Sequence, residues 1–310
     1  MSNILYPLTF NPIVKNKLWG SELWMLSGVE DNETTVSNGK LNGDSVNELM
    51  EVFLDDFIGE KVFSQNPNIK QFPILDKLIS SASWLSVQVH PNDEMAKSLG
   101  FANGKSEMWY IMDAEPNAHI IAGFNKKITP NEYLKHLKEN TLESVLNPIP
   151  VNKGDIISIP AGLIHALGPG VLLAEIQQTS DLTYRIYDWN RVDEQGDPRE
   201  LHTDLAIKAI DFDMHEVEMF SLPQNKDTEI PLFDFKWSKT KYLRISNMKS
   251  LNYNDRESFV ILNFVEGKGE IIFQGDTLKY VKGSVVLIPA TLNEFTIFPE
   301  EPSAFIETYI

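Results

Sequence analysis

Four residues in segments with strand character carry the side chains of a metal site. The segment WLSVQVHPND places Gln88 and His90 on one face, because side chains alternate along a strand. Glu107 follows in GKSEMWYIMD, and His165 follows in IPAGLIHAL. One amide oxygen, two imidazoles and one carboxylate suit a catalytic divalent ion, zinc in preference to Fe(II). The chain contains no cysteine, so thiolate ligands are excluded.

Three further polar residues could act beside such an ion. Ser86 shares the strand face of Gln88, and Lys105 precedes Glu107 by two residues, which places both on one face. Arg185, in DLTYRIYDWNR, would add a cation to the same cavity. The residue types therefore allow a metal ion with basic groups around it.

Each of these residues also has a purely structural interpretation. The polar face before the proline could be solvated, and Lys105 could pair with a distant acid while Glu107 lies at the sheet rim. An isolated histidine such as His165 is more often a hydrogen-bonded structural residue than a ligand. Arg185 could be an exposed edge arginine stacked on aromatic rings. The remaining histidines are predicted to be structural: His119, His136, His202 and His215.

The elements that must position these residues are mostly strands. Short β-branched and aromatic runs broken by Gly, Pro, Asn and Asp indicate a sandwich or barrel. In GDIISIPAGLIHAL a buried strand is predicted to end at Pro160, and Gly162 reverses the chain so that His165 begins the partner strand. Ligands on separate strands require a barrel to bring them together.

A few helices accompany the strands. They are predicted from N-cap residues followed by helically spaced apolar residues, and the first two have a capping box. The predicted caps are Ser45 with Glu48, Thr129 with Glu132 and Thr203, and the first helix, with Leu49, Val52, Phe53 and Phe57 on its apolar face, is predicted to stop at Gly59.

Two domains are predicted from the length of 310 residues and from a polar, proline-containing connector at 221–235. Residues 1–234 form the larger domain, and residues 235–310 form a smaller β domain. The segment GSVVLIPATLNEF, beginning at Gly283, repeats the pattern of GDIISIP without a histidine after it. The repeat indicates two similar sheets, of which one has metal ligands.

The net charge of −17 restricts the partners. Nucleic acids and anionic membranes attract basic surfaces, so neither is expected as a partner. No run of about eighteen apolar residues and no leader with a basic and then an apolar segment is present, so we expect a cytoplasmic protein. A small anionic ligand would need a local basic cleft.

The motifs resemble those of known families. The spacing G-x5-P-x-G-x2-H at 154–165 resembles the second motif of the cupin barrels. SVQVHPND, GKSEMWY, IPAGLIHAL and DLTYRIYDWNR, in this order, resemble the type I mannose-6-phosphate isomerases. FNPIVKNKLWG and FPILDKLISS extend the resemblance over residues 7–212. The chain has no room for the large helical insertion of the eukaryotic enzymes, so it resembles the compact bacterial form.

This resemblance implies a mainly β, cupin-type jelly-roll barrel and a smaller cupin-like domain. It implies a zinc enzyme of mannose metabolism, with one Zn²⁺ per chain, that interconverts mannose 6-phosphate and fructose 6-phosphate. Gln88 replaces the first histidine of the usual cupin H-x-H pair, which favours the isomerases over iron oxygenases. The matching positions are the metal ligands Gln88, His90, Glu107 and His165, the catalytic residues Arg185 and Lys105, and the substrate-binding residues Ser86, Lys105 and Arg185.

Such an isomerisation passes through a cis-enediol, whose negative charge a divalent ion and Arg185 would stabilise. The sequence leaves open which group moves the proton on carbon. Two other functions remain open as well, namely a non-catalytic sugar-phosphate sensor and a metal-dependent cupin oxygenase. We expect a small-molecule sugar phosphate as the partner and a monomer or homodimer.

Overall fold

The computed structural model describes residues 5–192, 196–214 and 217–310. His215, for which a structural role was predicted, lies outside the described residues. In the described part of the chain no helix is long and apolar enough to cross a membrane.

Strands dominate the structure. In chain order they are β1 (Ile13–Lys17), β2 (Gly20–Leu26), β3 (Gly28–Val29), β4 (Asn32–Glu33), β5 (Ile74–Ser81), β6 (Val87–Val89), β7 (Glu107–Ala114), β8 (His119–Phe124), β9 (Leu146–Pro150), β10 (Asp155–Ile159), β11 (His165–Leu167), β12 (Val171–Gln178), β13 (Tyr184–Tyr187), β14 (Met219–Ser221), β15 (Thr228–Asp234), β16 (Lys239–Ile245), β17 (Lys249–Asn252), β18 (Val260–Glu266), β19 (Lys268–Phe273), β20 (Asp276–Val281), β21 (Val285–Ile288), β22 (Glu294–Pro299) and β23 (Ser303–Tyr309). The prediction of a mainly β chain is confirmed.

The helices are short and lie between strands. They are α1 (Val46–Phe53), α2 (Asp55–Ile58), α3 (Glu60–Gln65), α4 (Asp93–Ser98), α5 (Pro130–Lys138) and α6 (Thr203–Ala209), with a 3₁₀ turn at Leu142–Val145.

The two predicted capping boxes are confirmed. Ser45 accepts from the backbone N–H of Glu48 and Thr129 accepts from that of Glu132, while each glutamate side chain binds back to its cap. Both boxes satisfy N–H groups that the helix itself leaves without a partner.

Two helix predictions were wrong in detail. The first helix ends at Phe53, because Leu54 has a positive φ of 46°, and Gly59 instead ends the separate helix α2. Val52, expected on the apolar face, is 70% exposed. The N-cap of α6 is His202 rather than Thr203, and the ring Nδ1 of His202 accepts the backbone N–H of Arg185.

The chain divides into two compact units. The first comprises Met1–Ile13, Trp24–Asp76 and Pro223–Ile310, and the second comprises Val14–Leu23 and Lys77–Leu222. Residues 24–76 therefore belong to the same compact unit as the C-terminal sheets. The division into domains 1–234 and 235–310 stays a prediction.

The second unit contains strands of two antiparallel sheets. One sheet has the order β1-β2-β5-β12-β7-β10-β14, and the other has the order β13-β6-β11-β8-β9. A single apolar cluster takes side chains from both, among them Trp109 and Ile111 from β7 and Ile120 and Ala122 from β8. The two sheets therefore pack face to face.

Helices α5 and α6 cover the other face of the five-stranded sheet. Val87 and Val89 pack there with Tyr133 of α5 and Ala206 of α6. Alternation along WLSVQVHPND predicts Leu85 on the same face as these valines, but Leu85 precedes β6 and packs in the cluster between the sheets. Strand β6 is therefore buried on both faces, so its polar side chains point into the interior.

The first unit has its own pair of sheets, with the orders β15-β16-β23-β18-β21 and β17-β22-β19-β20. Its core includes Phe264 stacked on Tyr280 with ring centroids 3.8 Å apart. Near helix α2, Phe72 packs against Phe57 and Phe259. This unit thus has a complete apolar core of its own.

Candidate metal centre and cavity

Three strands bring the histidines and the glutamate together. His90 directly follows β6, Glu107 begins β7 and His165 begins β11. Glu107 lies opposite Ile159 of β10, and His165 lies opposite Gln88 of β6. The two imidazoles therefore come from the five-stranded sheet and the carboxylate from the seven-stranded sheet.

The strand that His165 begins does not pair with β10, so the predicted hairpin is wrong. β11 pairs with β6 and β8, and the turn at residues 160–162 carries the chain from one sheet to the other. The backbone N–H of Gly162, at a φ of 91°, donates to the carbonyl of His90 over 3.0 Å. This crossing brings His165 to the side of β6.

The ligand atoms of His90, Glu107 and His165 all lie within 4.8 Å of one another. His90 Nε2 is 3.1 Å from Glu107 Oε1, and His165 Nε2 is 3.9 Å from Glu107 Oε2. Ligands that bind one zinc ion at its usual bond lengths are about 3.4 Å apart. All three residues are almost fully buried. Small shifts would bring the three atoms onto one ion.

Backbone carbonyls orient both imidazoles. His90 Nδ1 lies 2.9 Å from the carbonyl oxygen of Leu182, and His165 Nδ1 lies 2.9 Å from that of Leu163. A carbonyl only accepts, so each Nδ1 donates its proton and each Nε2 keeps a lone pair. The same arrangement fixes metal-ligating histidines in known sites.

The charge states suit a divalent cation. Burial, aided by the charge of Lys105, lowers the pKa of His90 to about 3, and burial lowers the pKa of His165. Burial alone would raise the pKa of Glu107, but Lys105 and His90 hold it well below its usual range. Two neutral imidazoles and one carboxylate are therefore present at neutral pH.

Glu107 Oε1 lies at the centre of the cluster. It is buried, 2.8 Å from Lys105 Nζ and 3.1 Å from His90 Nε2. Because His90 Nε2 and Glu107 Oε1 are both acceptors, a positive charge beside them is needed to offset their repulsion. Lys105 supplies one such charge, and the donor set fits a bound divalent ion.

Gln88 lies beside the three buried ligands. It is half-buried, and its Nε2 is 3.2 Å from His165 Nε2. A half-turn of the amide exchanges its nitrogen and oxygen, so Gln88 can present an acceptor at the same place. Its role as a fourth ligand stays a prediction.

Lys105 is buried and lies against the ligands rather than beside a distant acid. Its Nζ is 2.8 Å from Glu107 Oε1 and 3.2 Å from His90 Nε2. Glu107 is 1% exposed, so it does not lie at a sheet rim. The structural alternative for this pair is therefore wrong.

A cavity of about 290 Å³ adjoins the cluster within the second unit. Gln88, Lys105 and Trp109, each in contact with at least one of the three ligands, line it. Ser86 and Arg185 line it as well, so the predicted substrate-binding residues share one cavity. Its further polar lining is Lys17, Glu22, Lys77, Glu175, Asp181, Thr183 and Arg199.

Arg185 lies on β13 opposite Gln88. Its Nη1 donates to the carbonyl of Glu200 over 2.7 Å, which orients the guanidinium group at the cavity wall. Such a position supplies local positive charge in a chain whose net charge is −17.

Sequence reasoning missed a buried ion pair in the same cavity. Glu175 of β12 lies opposite Trp109, and its Oε1 accepts from Lys77 of β5 over 2.9 Å. Burial, and then the charge of Glu107, raises the pKa of Glu175. The only sequence signals were charged residues inside the apolar runs ILDKLIS and VLLAEI. A buried charge requires a partner, but the runs do not show which one.

Arg199 was also missed. Both oxygens of the buried Asp188 bind it, with Oδ1 to Nη2 at 2.5 Å and Oδ2 to Nε at 2.8 Å. Asp188 Oδ1 also accepts from Arg191, whose Nη1 binds the carbonyl of Trp84. A bidentate pair of this kind holds the guanidinium of Arg199 rigidly beside the cavity.

The other described histidines lie outside the cluster. The Nδ1 of His119 binds the carbonyl of Asn117, and that of His136 binds the hydroxyl of Thr141. His202 accepts the N–H of Arg185, as described above.

A mainly β, cupin-like fold with a buried His-Glu-His cluster beside a basic cavity defines a cupin-like enzyme with a site suited to a metal ion. Residues 7–117 match the family described as phosphomannose isomerase type I, catalytic domain. The mannose-6-phosphate isomerase ManA of Bacillus subtilis is 31% identical, with 94% of this chain and 95% of that protein covered. The chain therefore belongs to the type I mannose-6-phosphate isomerase family.

Two further comparisons agree. The mannose-6-phosphate isomerase of Streptococcus mutans is 28% identical, with 93% of this chain and 94% of that protein covered. The crystal structure of the mannose 6-phosphate isomerase from Bacillus subtilis superposes with a TM-score of 0.86 at 29% identity, covering 98% of this chain and 99% of the other. The predicted cupin-like fold is confirmed.

Proposed function

We propose that the protein is a zinc-dependent aldose-ketose isomerase that interconverts mannose 6-phosphate and fructose 6-phosphate, with one Zn²⁺ per chain. The observation that carries the proposal is the buried cluster of His90, Glu107 and His165 beside a cavity lined by basic side chains. Membership of the isomerase family supports the reaction.

His90, Glu107 and His165 would hold the ion, with Gln88 as a fourth ligand. When bound, a divalent ion acts as a Lewis acid for the oxygens that become negative in the cis-enediol, a contribution of several kcal/mol. The two Nε2 lone pairs and the Glu107 carboxylate are the chain's own contribution to that site.

Positive side chains would orient the sugar phosphate. Arg185, Arg199 and Lys17 line the cavity, and guanidinium groups bind phosphate oxygens through paired hydrogen bonds. Lys105 and Ser86, which line the same cavity, would bind sugar hydroxyl oxygens near the reacting carbons. Together these contacts hold the substrate in one orientation, which lowers the entropic part of the barrier.

Proton transfer between C1 and C2 needs a group that both takes and returns a proton. Glu175 is a buried carboxylate on the cavity wall that the metal cluster does not use. We propose it as the base, with Arg185 and Lys105 stabilising the negative charge on the substrate oxygens.

His165→Ala tests the assignment. We expect the variant to fold but to lose bound zinc and turnover of mannose 6-phosphate, because His165 begins a strand and its ring serves the cluster. Metal content and a coupled isomerase assay, each with and without a chelator, measure this. Full zinc and full turnover in the variant would exclude the site.

The same measurements on the wild-type protein distinguish the isomerase from the two other functions. Iron with oxygen uptake would indicate an oxygenase, and tight sugar-phosphate binding without turnover would indicate a sensor. The cytoplasmic location and the monomeric or homodimeric state stay predictions.

A further inference from the structure

One indole N–H lies between the two buried carboxylates of the site. Trp109 Nε1 is 3.1 Å from Glu107 Oε2 and 2.9 Å from Glu175 Oε2. Trp109 is 2% exposed, and its ring meets the His165 ring edge-on with centroids 5.6 Å apart. An indole has one donor and no acceptor, so it binds carboxylate oxygens only by donating.

The position of Trp109 follows from strand register. Trp109 lies on β7 two residues after Glu107, so both side chains point to one face, and Glu175 lies directly opposite on β12. A residue at this position is the neighbour of both carboxylates. The contact therefore depends on the sheet itself and not on a mobile loop.

The contact with the Trp109 indole gives the two oxygens of Glu107 different partners. Oε2 accepts from the indole, whereas Oε1 lies 3.1 Å from His90 Nε2 and 2.8 Å from Lys105 Nζ. A carboxylate with one oxygen engaged in this way presents the other oxygen to an ion.

The same N–H also holds Glu175. Oε1 of Glu175 accepts from Lys77 Nζ, and the same Nζ donates to Gln177 Oε1 over 2.7 Å. With Oε2 on the indole, Glu175 is held on both sides. These two hydrogen bonds oppose a rotation of its carboxylate toward the cluster.

We propose that Trp109 is a positioning residue whose indole N–H makes Glu107 bind the ion through Oε1 alone and keeps Glu175 out of the ligand set. The inference rests on the metal site of the proposed function. In this proposal the indole N–H is a hydrogen-bond donor next to the metal ligands. It controls how many carboxylate oxygens bind the ion. Donors of this kind commonly change metal affinity by about 10- to 100-fold.

Cobalt(II) binding tests the proposal without any assay of turnover. The full-length protein is loaded with Co²⁺, its affinity is measured by competition with a chelator, and its visible absorption reports the number and type of ligands. Trp109→Phe removes the N–H together with one ring. Replacement of Trp109 by 3-benzothienylalanine keeps the bicyclic shape and removes only the N–H, so it separates the donor from packing. Tyr110→Phe, at the neighbouring position of β7, is the matched control.

We expect both Trp109 variants to show a changed visible spectrum, because Glu107 and Glu175 can then give further oxygens to the ion, and a Co²⁺ affinity that differs from that of the wild type by about 10- to 100-fold. Tyr110→Phe should behave as the wild type. An unchanged affinity and spectrum in the benzothienylalanine protein would overturn the role of the N–H while leaving the metal site intact. A wild-type protein that binds no Co²⁺ would overturn both this inference and the metal site.

Discussion

The two sheet pairs of this chain share a backbone pattern but differ in what they bury. Gly154 and Gly283 have φ values of 91° and 89°, and each precedes a strand that ends at a proline. After that proline the N–H of Leu163 binds back to the carbonyl of Pro160, as the N–H of Leu292 does to that of Pro289. The strands that follow begin at His165 and at Glu294, the same distance after each proline.

The strand registers show what replaced the ligands. Glu107 lies opposite Ile159, and the matching pair in the C-terminal sheets is Val260 opposite Ile288. His165 lies opposite Gln88, and the matching pair is Glu294 opposite Asn252. The carboxylate has become valine, and the remaining polar pair is exposed.

A buried glutamate paired with a lysine is present in both copies, although Lys241 is itself partly exposed. Glu175 lies opposite Trp109 and binds Lys77, whereas Glu307 lies opposite Leu262 and binds Lys241 at 3.2 Å.

The partners of Glu307 differ in kind from those of Glu107. Its Oε1 accepts from the hydroxyl of Tyr253, and its Oε2 accepts from Arg256 at 2.7 Å. The Arg256 guanidinium lies 3.8 Å and 4.2 Å from the ring centroids of Tyr253 and Tyr309. Glu307 is thus held by hydrogen-bond donors, whereas Glu107 also faces the acceptor nitrogens of His90 and His165, an arrangement that suits a metal ion.

The largest difference should appear when each carboxylate is replaced by its amide. Glu107→Gln should reduce turnover about a thousandfold through loss of metal. Glu307→Gln should leave turnover unchanged but lower the free energy of unfolding by about 3 kcal/mol, because the partly buried Arg256 loses its counter-charge. Metal content, kcat and urea denaturation measure both effects. Glu294→Gln, at an exposed position, is the control. A loss of turnover in Glu307→Gln would contradict the comparison.

Two arginines provide a smaller contrast. Arg185→Ala should keep its metal and lower kcat about a hundredfold, because a cation beside the developing charge is removed. Arg244→Ala, which breaks the pair with Glu266 in the C-terminal sheets, should leave kcat unchanged. Steady-state kinetics and metal analysis of both variants test this. An unchanged kcat in Arg185→Ala would make that residue structural.

The smallest expected effect is on the pH dependence of the free energy of unfolding, through a glutamate of the C-terminal sheets. Hydrogen bonds from Lys241 and Lys249 lower the pKa of Glu229 to about 2. Since the pKa is about 4.3 in the unfolded chain, the stabilisation is complete above that value and is lost as the pH falls toward 2. Glu229 is partly exposed, so solvent screening limits the effect to about 0.5 to 1 kcal/mol. Urea denaturation of wild type and Glu229→Gln should differ at pH 6 and converge near pH 2. An equal difference at both values would exclude this origin.

Local patterns predicted part of this structure. The alternation of side chains along a strand predicted Gln88 and His90 on one face. The capping boxes at Ser45 and Thr129 predicted the start of two helices. Both signals involve residues that are close together in the chain. The break at Leu54 escaped prediction because tertiary packing overrides helical spacing.

Long-range pairing was harder to predict. The choice of β6 rather than β10 as the partner of β11 depends on a turn between sheets that no local spacing specifies. The pairing of Lys77 with Glu175 joins residues almost a hundred positions apart, and a single charge in an apolar run does not name its partner. The candidate ligands could be predicted by residue type, whereas the residues that position them could not.

The crossing at residues 160–162 also has a consequence for the order of folding. His90 and His165 belong to one sheet and Glu107 to the other, so neither sheet alone contains the full donor set. Contacts between distant segments form late in folding, because the chain must first lose the entropy of long loops. The complete site therefore exists only after the sheets have docked, and an ion bound by all three ligands stabilises the docked state over any single-sheet intermediate.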